Sequence, residues 1–226
     1  MKRSEINKII RDSIELMKKY KFQLPPFAFW SLKDWKANLS SCQEIFENQL
    51  GWDITDFGSG DIDSIGLVLF TIRNGHPQNW EKKTGKLYAE KIMISKEKQV
   101  TPMHFHWNKM EDIINRNGGE LVMDVYKADQ NEGLSNESFS LSIDGKVVNC
   151  QPGDRLVLQP GESVTFPPKV YHSFWGEGMP VLIGEVSLVN DDHNDNRFFE
   201  TVGRFPEIEE DEQPEYLLVG DYAKYF

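Results

Sequence analysis

The chain has 226 residues, 39% of them hydrophobic and 12% aromatic, with a formal net charge of −11 and a pI near 5.0. That length suits one domain with a substantial core, and the composition excludes an intrinsically disordered chain. The negative field argues against a nucleic-acid backbone or an anionic membrane as the main partner.

Residues 4–20 pattern as an amphipathic helix. Ser4 is the expected N-cap, Glu5 lies in the first turn, and Ile6, Ile9, Ile10, Ile14 and Met17 recur at helical spacing. The stretch "LPPF" at 24–27 ends it, because proline cannot continue a helix. A second helical stretch is expected over about 31–49. Neither helix nor any other run reaches the roughly 18 apolar residues of a membrane span, and the charged N-terminus lacks the apolar core of a signal peptide. Cys42 and Cys150 stand far apart with no Cys-x-x-Cys partner, which fits a reducing compartment and excludes a thiolate zinc site. A soluble cytoplasmic protein is expected.

From about residue 64 the pattern changes to short strands with turn punctuation. "SIGLVLFTI", "KLYAEKIMIS", "VTPMHFHW", "GELVMDVYKA", "ESFSLSI", "KVVNC", "RLVLQ", "SVTFP", "YHSFW" and "PVLIGEVSLV" follow one another. Asp144-Gly145 is a two-residue hairpin signal, and "QPGD" and "QPGE" are proline-glycine turns. Many closely spaced short strands predict an antiparallel sandwich or barrel. The expected division is a helical extension over 1–62 packed on a barrel over 63–226, in one structural unit. The acidic run of the tail, "PEIEEDEQPE", is expected to be solvated, with the aromatic end packing on the barrel or on a partner subunit.

The chemistry concentrates in "TPMHFHWNKMEDIINRNGG", residues 101–119. Alternation along a strand points His104 and His106 the same way, about 7 Å apart along the backbone. Two such imidazoles can converge on one divalent ion at about 2.0–2.1 Å. Glu111 follows past the strand end, where a turn could carry its carboxylate to the same ion, and Gly118-Gly119 would turn the chain into the next strand. Nitrogen and carboxylate ligands without sulfur suit Mn, Fe, Co, Ni or Zn.

A second segment, "PGESVTFPPKVYHSFWGE" at 160–177, completes a specific resemblance. Together the two segments resemble the two motifs of the cupin barrel. The first runs His104-Phe105-His106, four residues, Glu111, six residues, Gly118. The second runs Gly161, five residues, Pro167, one residue, Lys169, two residues, His172, three residues, Gly176. Lys169 stands where the cupin pattern has glycine, and Gly176 where it has asparagine. The resemblance implies a cupin double-stranded β-helix, or jelly-roll barrel, with His104, His106, Glu111 and His172 holding one metal. Four protein ligands on an ion that prefers six leave two adjacent positions for two oxygens of one substrate, the geometry a 1,2-diol or hydroxy-carbonyl needs.

Longer phrases narrow the family. "MKRSEINKIIRDS", "KMEDIINR", "PPKVYHSFW", "GEVSLVNDDHNDNRFF" and "GRFPEIEEDE" make nearly the whole chain resemble the D-lyxose isomerases, manganese-dependent cupin sugar isomerases. The resemblance implies D-lyxose to D-xylulose interconversion with D-mannose to D-fructose activity, a monosaccharide substrate, bound Mn2+ and a homodimer. The hydrogen moves either by a carboxylate proton shuttle or by a metal-assisted hydride shift. For the shuttle Glu185, in the otherwise apolar strand "PVLIGEVSLV", is the candidate base, since a buried carboxylate tends towards a raised pKa. Lys109 is the candidate acid or oxyanion donor. In the polar stretch "NDDHNDNRFFETVGR", Asp195 and Arg204 are the preferred sugar contacts, by resemblance and by their flanking of Phe198-Phe199. Three alternatives remain: a phosphosugar isomerase, which needs a phosphate cradle the sequence lacks, an Fe-dependent dioxygenase, and a non-catalytic sugar-binding cupin.

Overall fold

The computed structural model describes residues 1–80 and 82–226, and its first element, helix α1, spans Arg3–Lys19. Ile6, Ile9, Ile10, Ile14 and Met17 bury one face of it. Ser4 is not its cap: the helix starts a residue earlier, and the Ser4 amide and hydroxyl donate to Asp211 at 2.9 and 2.7 Å. The second helical stretch divides into α2 (Leu32–Asn38) and α3 (Gln43–Glu47), joined by a 3-10 turn over Leu39–Ser41. Ser31 caps α2, its hydroxyl accepting from the Asp34 amide while Asp34 accepts from the Ser31 amide.

Among the described residues eleven strands follow: β1 (Gly51–Thr55), β2 (Leu67–Arg73), β3 (Tyr88–Ser95), β4 (Thr101–Phe105), β5 (Glu111–Lys127), β6 (Phe139–Ile143), β7 (Lys146–Cys150), β8 (Asp154–Leu158), β9 (Ser163–Phe166), β10 (Val170–Leu188) and β11 (Arg197–Phe198). A short helix α4 (Pro77–Trp80) interrupts the connection from β2 to β3, and α5 (Tyr222–Tyr225) closes the chain. The sheet order is β1-β2-β3-β10-β5-β9-β6-β7, with β4 on β10, β11 on β4 and β8 on β5, every named pairing antiparallel. This is the expected antiparallel barrel of the cupin type.

Strand β1 lies inside the stretch read as a helical extension, yet it pairs with β2 and belongs to the sheet. "YHSFW" and "PVLIGEVSLV" are one strand, the 19-residue β10. It runs along the 17-residue β5, and both serve two layers of the barrel. Gly118 and Gly119 therefore do not end a strand. They sit within β5 where the two strands bend together, and a Cβ at either would lie 2.2 Å from the Pro180 carbonyl oxygen or 2.1 Å from that of Glu177. The Asp144-Gly145 hairpin is present, both residues having positive φ as a type I′ turn requires.

Strand alternation divides the core in two. Met93 faces the barrel interior with Ile113, Leu121, Met123, Phe166 and Ile183. Its neighbours Ile92 and Ile94 face outward with Trp52 and Phe70 and receive α1. A one-residue slip of β3 would reverse both faces, so its register is strongly fixed.

The acidic run of the tail is exposed, as expected, and its side chains also dock on α1. Fully buried Arg3 pairs with Asp221 at 2.7 Å and Glu210 at 2.9 Å, and Asn7 donates to Glu212 at 2.7 Å. Carboxylates beside a helix N-terminus also oppose the positive end of its dipole. The aromatic end packs within the chain, Tyr222 against Trp35 and Phe46. Among the described residues no helix is long and apolar enough to cross a membrane.

Replacing Arg3 by alanine strands Asp221 in the core and is expected to lower the unfolding free energy by about 3–5 kcal/mol, read by urea denaturation. Hydrogen bonds from Arg3, aided by Lys224, hold the Glu210 carboxyl at about 2 against an ordinary 4.5. A depressed carboxylate stabilises above its unfolded pKa and loses that contribution as pH falls, so the penalty of Arg3→Ala should shrink between pH 4.5 and about 2.

Candidate metal centre

His104 near the end of β4 and His172 near the start of β10 are direct cross-strand partners. His106 lies just past β4, and Glu111 opens β5, so the carboxylate comes from a strand and not from a turn. The ligand nitrogens of His104, His106 and His172 all lie within 4.8 Å of one another, and all three residues and Glu111 are buried.

Each imidazole is oriented by a backbone carbonyl. Nδ1 of His104 lies 2.8 Å from the Pro102 oxygen, that of His106 2.6 Å from Asp195, and that of His172 3.1 Å from Val170. A carbonyl can only accept, so Nδ1 carries the hydrogen and the neutral ring turns its Nε2 lone pair inward. Stacking fixes two of the rings, Phe166 on His172 at 4.4 Å and Phe198 on His104 at 5.3 Å. Burial, then His172 and His106, push the His104 pKa well below its ordinary 6.5 and keep it a neutral ligand.

Glu111 Oε1 lies 3.2 Å from Nε2 of His106 and 3.1 Å from that of His172, and it finds no hydrogen-bond partner among the described residues. With Nδ1 carrying each ring's hydrogen, this is a buried oxygen acceptor facing nitrogen lone pairs. Such a set is repulsive unless a cation lies among them. The donor set therefore fits a divalent ion, and its three nitrogens and one oxygen suit the borderline-to-hard metals of the first row. Burial would raise the Glu111 pKa, but the Lys109 ammonium holds it well below the carboxylate range, which keeps it an anionic ligand.

A continuous line of opposite charges leads away from this cluster through the cavity. Lys109 Nζ lies 2.8 Å from Glu111 Oε2 and 2.8 Å from Glu185 Oε1. Lys91 Nζ lies 3.7 Å from Glu185 and 3.4 Å from Asp192, and Arg204 lies 3.8 Å from Asp192. All six line one cavity with the three histidines. Burial opposes the Lys109 charge, yet Glu111 and Glu185 raise its pKa above the ordinary lysine value. Enclosure would raise the Asp192 pKa, but Lys91, Lys109 and then Asn190 and Arg204 hold it well below normal.

Of the residues singled out by sequence, Glu185, Lys109 and Arg204 thus share the cavity with the four candidate ligands. Glu185 is interior as expected, but its surroundings are polar: two ammonium groups and the Ser187 hydroxyl, which donates to it at 3.0 Å. Asp195 lies outside this cavity and lines a neighbouring one with Asn108 and Lys109. Its carboxylate accepts backbone hydrogens from Asn108 and Lys109. Phe174 lines the cavity, whereas Trp107 packs on Phe105 and donates to Glu132. Lys91 escaped notice, although alternation gave a signal: in "YAEKIMIS" it shares the interior face of β3 with Ala89 and Met93, directly opposite Glu185. Lys169 keeps the left-handed backbone expected of the glycine it replaces, with φ 63°, and its amide donates to the His106 carbonyl at 2.9 Å.

Comparison with known proteins follows the same line. A family model described as D-lyxose isomerase matches residues 1–222. A D-lyxose/D-mannose isomerase of Serratia proteamaculans is 47% identical over 228 residues, covering 100% of this chain and 99% of that protein. One of Escherichia coli O157:H7 is 43% identical over 228 residues and covers both chains fully, 100% of each. In fold, the chain resembles Cellulomonas parahominis L-ribose isomerase, solved with L-ribose, at a TM-score of 0.60 and 15% identity, over 92% of this chain and 98% of the other.

The geometry makes a direct prediction. Purified protein stripped with chelator and dialysed against a divalent metal should retain one ion per chain, measured by elemental analysis. His172→Ala, which removes one of the inward nitrogens, should abolish that stoichiometric uptake. Equal uptake by the variant would place the ion elsewhere.

Proposed function

The chain belongs to the D-lyxose isomerase family, and from that premise we propose that it is a metal-dependent aldose–ketose isomerase. Its substrates are D-lyxose and D-xylulose, and D-mannose and D-fructose. His104, His106, Glu111 and His172 hold the ion, proposed as Mn2+. A homodimer in the cytoplasm completes the proposal.

The observation that carries this reading is the contact of one ammonium with two carboxylates of different duty. Lys109 bridges Glu111, beside the imidazoles, and Glu185, which is free of them, at 2.8 Å each. Conversion of an aldose to its ketose moves the hydrogen on C2 to C1 and the hydroxyl proton on O2 to O1. Glu185 as a carboxylate takes the C2 proton, and as the acid it returns that proton to C1. Lys109 donates hydrogen bonds to the sugar oxygen on which negative charge builds. A divalent ion bound by the four ligands supplies Lewis-acid polarisation of the carbonyl. Asp192 and Arg204, further along the cavity, accept from and donate to the sugar hydroxyls.

A phosphorylated substrate fits this cavity less well. The Asp192 carboxylate lies 3.4 Å from Lys91 and 3.8 Å from Arg204, and its negative charge opposes a phosphate beside those cations. A dioxygenase reading gives the Glu185–Lys109 pair no task.

Incubation of the Mn2+-loaded protein with D-lyxose or D-mannose should yield the ketose, and chelation should stop turnover until Mn2+ is restored. Glu185→Gln should lower kcat by about 10²–10⁴-fold while leaving bound metal unchanged. Full activity in that variant would remove Glu185 from the mechanism, and inertness of the loaded wild type towards both sugars would reject the substrate assignment.

A further inference from the structure

We propose that Asp195 is a positioning residue that binds the metal-ligand segment to the sugar-facing loop, and not a sugar ligand. The inference rests on the metal-dependent reading given above.

Residues 106–110 connect β4 to β5 outside any strand, so their amides lack a ladder to join. This segment must nevertheless aim His106, Lys109 and Glu111 at one point. One residue supplies the acceptors. Asp195 Oδ1 accepts from the Asn108 amide at 2.9 Å and its side-chain nitrogen at 3.2 Å, while Oδ2 accepts from the Lys109 amide at 2.9 Å. The Asp195 main-chain carbonyl accepts from His106 Nδ1 at 2.6 Å. A single buried residue thus sets the tautomer of a ligand imidazole and the backbone from which Lys109 projects.

Asp195 is itself pinned on both sides. Its amide donates to the Asp191 carbonyl at 2.9 Å, and two residues later β11 pairs with β4, Arg197 opposite Phe105 and Phe198 opposite His104. Asp192, Asn196 and Phe198 of the same stretch line the cavity. The residue therefore joins the wall that meets the sugar to the segment that meets the ion. The segment has independent anchors, His106 O accepting from Lys169 and Met110 O from Leu188, so losing Asp195 loosens its middle without releasing its ends.

The test uses full-length wild type, Asp195→Ala, Asp195→Asn and Asn108→Ala, each titrated with Mn2+ by electron paramagnetic resonance and assayed with D-lyxose at saturating Mn2+. Asp195→Ala keeps the main-chain carbonyl on His106 but frees the Asn108 and Lys109 amides, so it should bind Mn2+ about 10-fold more weakly, the lower end of the cost of disturbing a ligand's outer contacts. Its kcat should fall at saturating Mn2+, through displaced Lys109, by more than KM rises. Asp195→Asn, isosteric and keeping one acceptor, should fall between, and it carries the same test should the alanine variant not fold. Asn108→Ala removes only a side-chain contact and should match wild type. Unchanged Mn2+ affinity with a raised KM would make Asp195 a sugar contact and overturn the proposal. Unchanged affinity and kinetics with a lowered melting temperature would make it mere scaffolding and overturn it equally. Failure of wild type itself to bind Mn2+ would sink the metal reading, a different result from either.

Discussion

Buried acceptors that face one another are the constraint on which the rest of this structure depends. Nε2 of three imidazoles and Oε1 of Glu111 point into a common space, and each ring has already committed its hydrogen to a carbonyl. Removing such groups from water without partners is strongly unfavourable, and bringing their lone pairs together adds repulsion. A divalent cation turns the same arrangement favourable. The carbonyls, the stacked Phe166 and Phe198 and the ammonium of Lys109 all act to hold groups that would otherwise part.

Two long strands make that gathering possible. β10 contributes His172 at one end and Glu185 near the other, while β5 begins at Glu111 and runs beside it. The ligand cluster and the proposed base thereby share a rigid frame, which suits chemistry that tolerates little misplacement. Between them the charges alternate, Glu111, Lys109, Glu185, Lys91, Asp192 and Arg204, each with an opposite neighbour within 4.0 Å by contacts of 2.8 to 3.8 Å. Buried ions paired in this way meet their desolvation cost locally, and every one of them faces the cavity.

Short-range signals were legible in the sequence and long-range ones were not. The period of β3, the hairpin at Asp144-Gly145 and the His104/His106 alternation are local, and all appear in the structure. Strand β1 was missed because five residues after a helical region carry little period of their own and are fixed by pairing with β2. The unity of β5 across Gly118-Gly119 was hidden for a related reason: glycine signals a turn as readily as a close backbone approach, and only the contact with residues 177–180 decides between them. The acidic tail is solvated as expected, but its docking on α1 was not legible because its partners Arg3, Ser4 and Asn7 lie at the other end of the chain. Asp195 illustrates the same limit within the site, since a polar loop residue reads alike whether its carboxylate meets a sugar or two backbone amides.

Family membership makes the chain a sugar isomerase, and the proposal adds proton transfer between adjacent carbons with a bound ion as electrophile and Glu185 as carrier. The most direct test of the central claim is electron spin-echo envelope modulation of the Mn2+-loaded protein, which counts imidazole nitrogens bound to the metal. Three couplings are predicted, falling to two in His104→Ala if that variant retains metal. A loaded protein showing no imidazole nitrogen on its Mn2+ would contradict the account at its root.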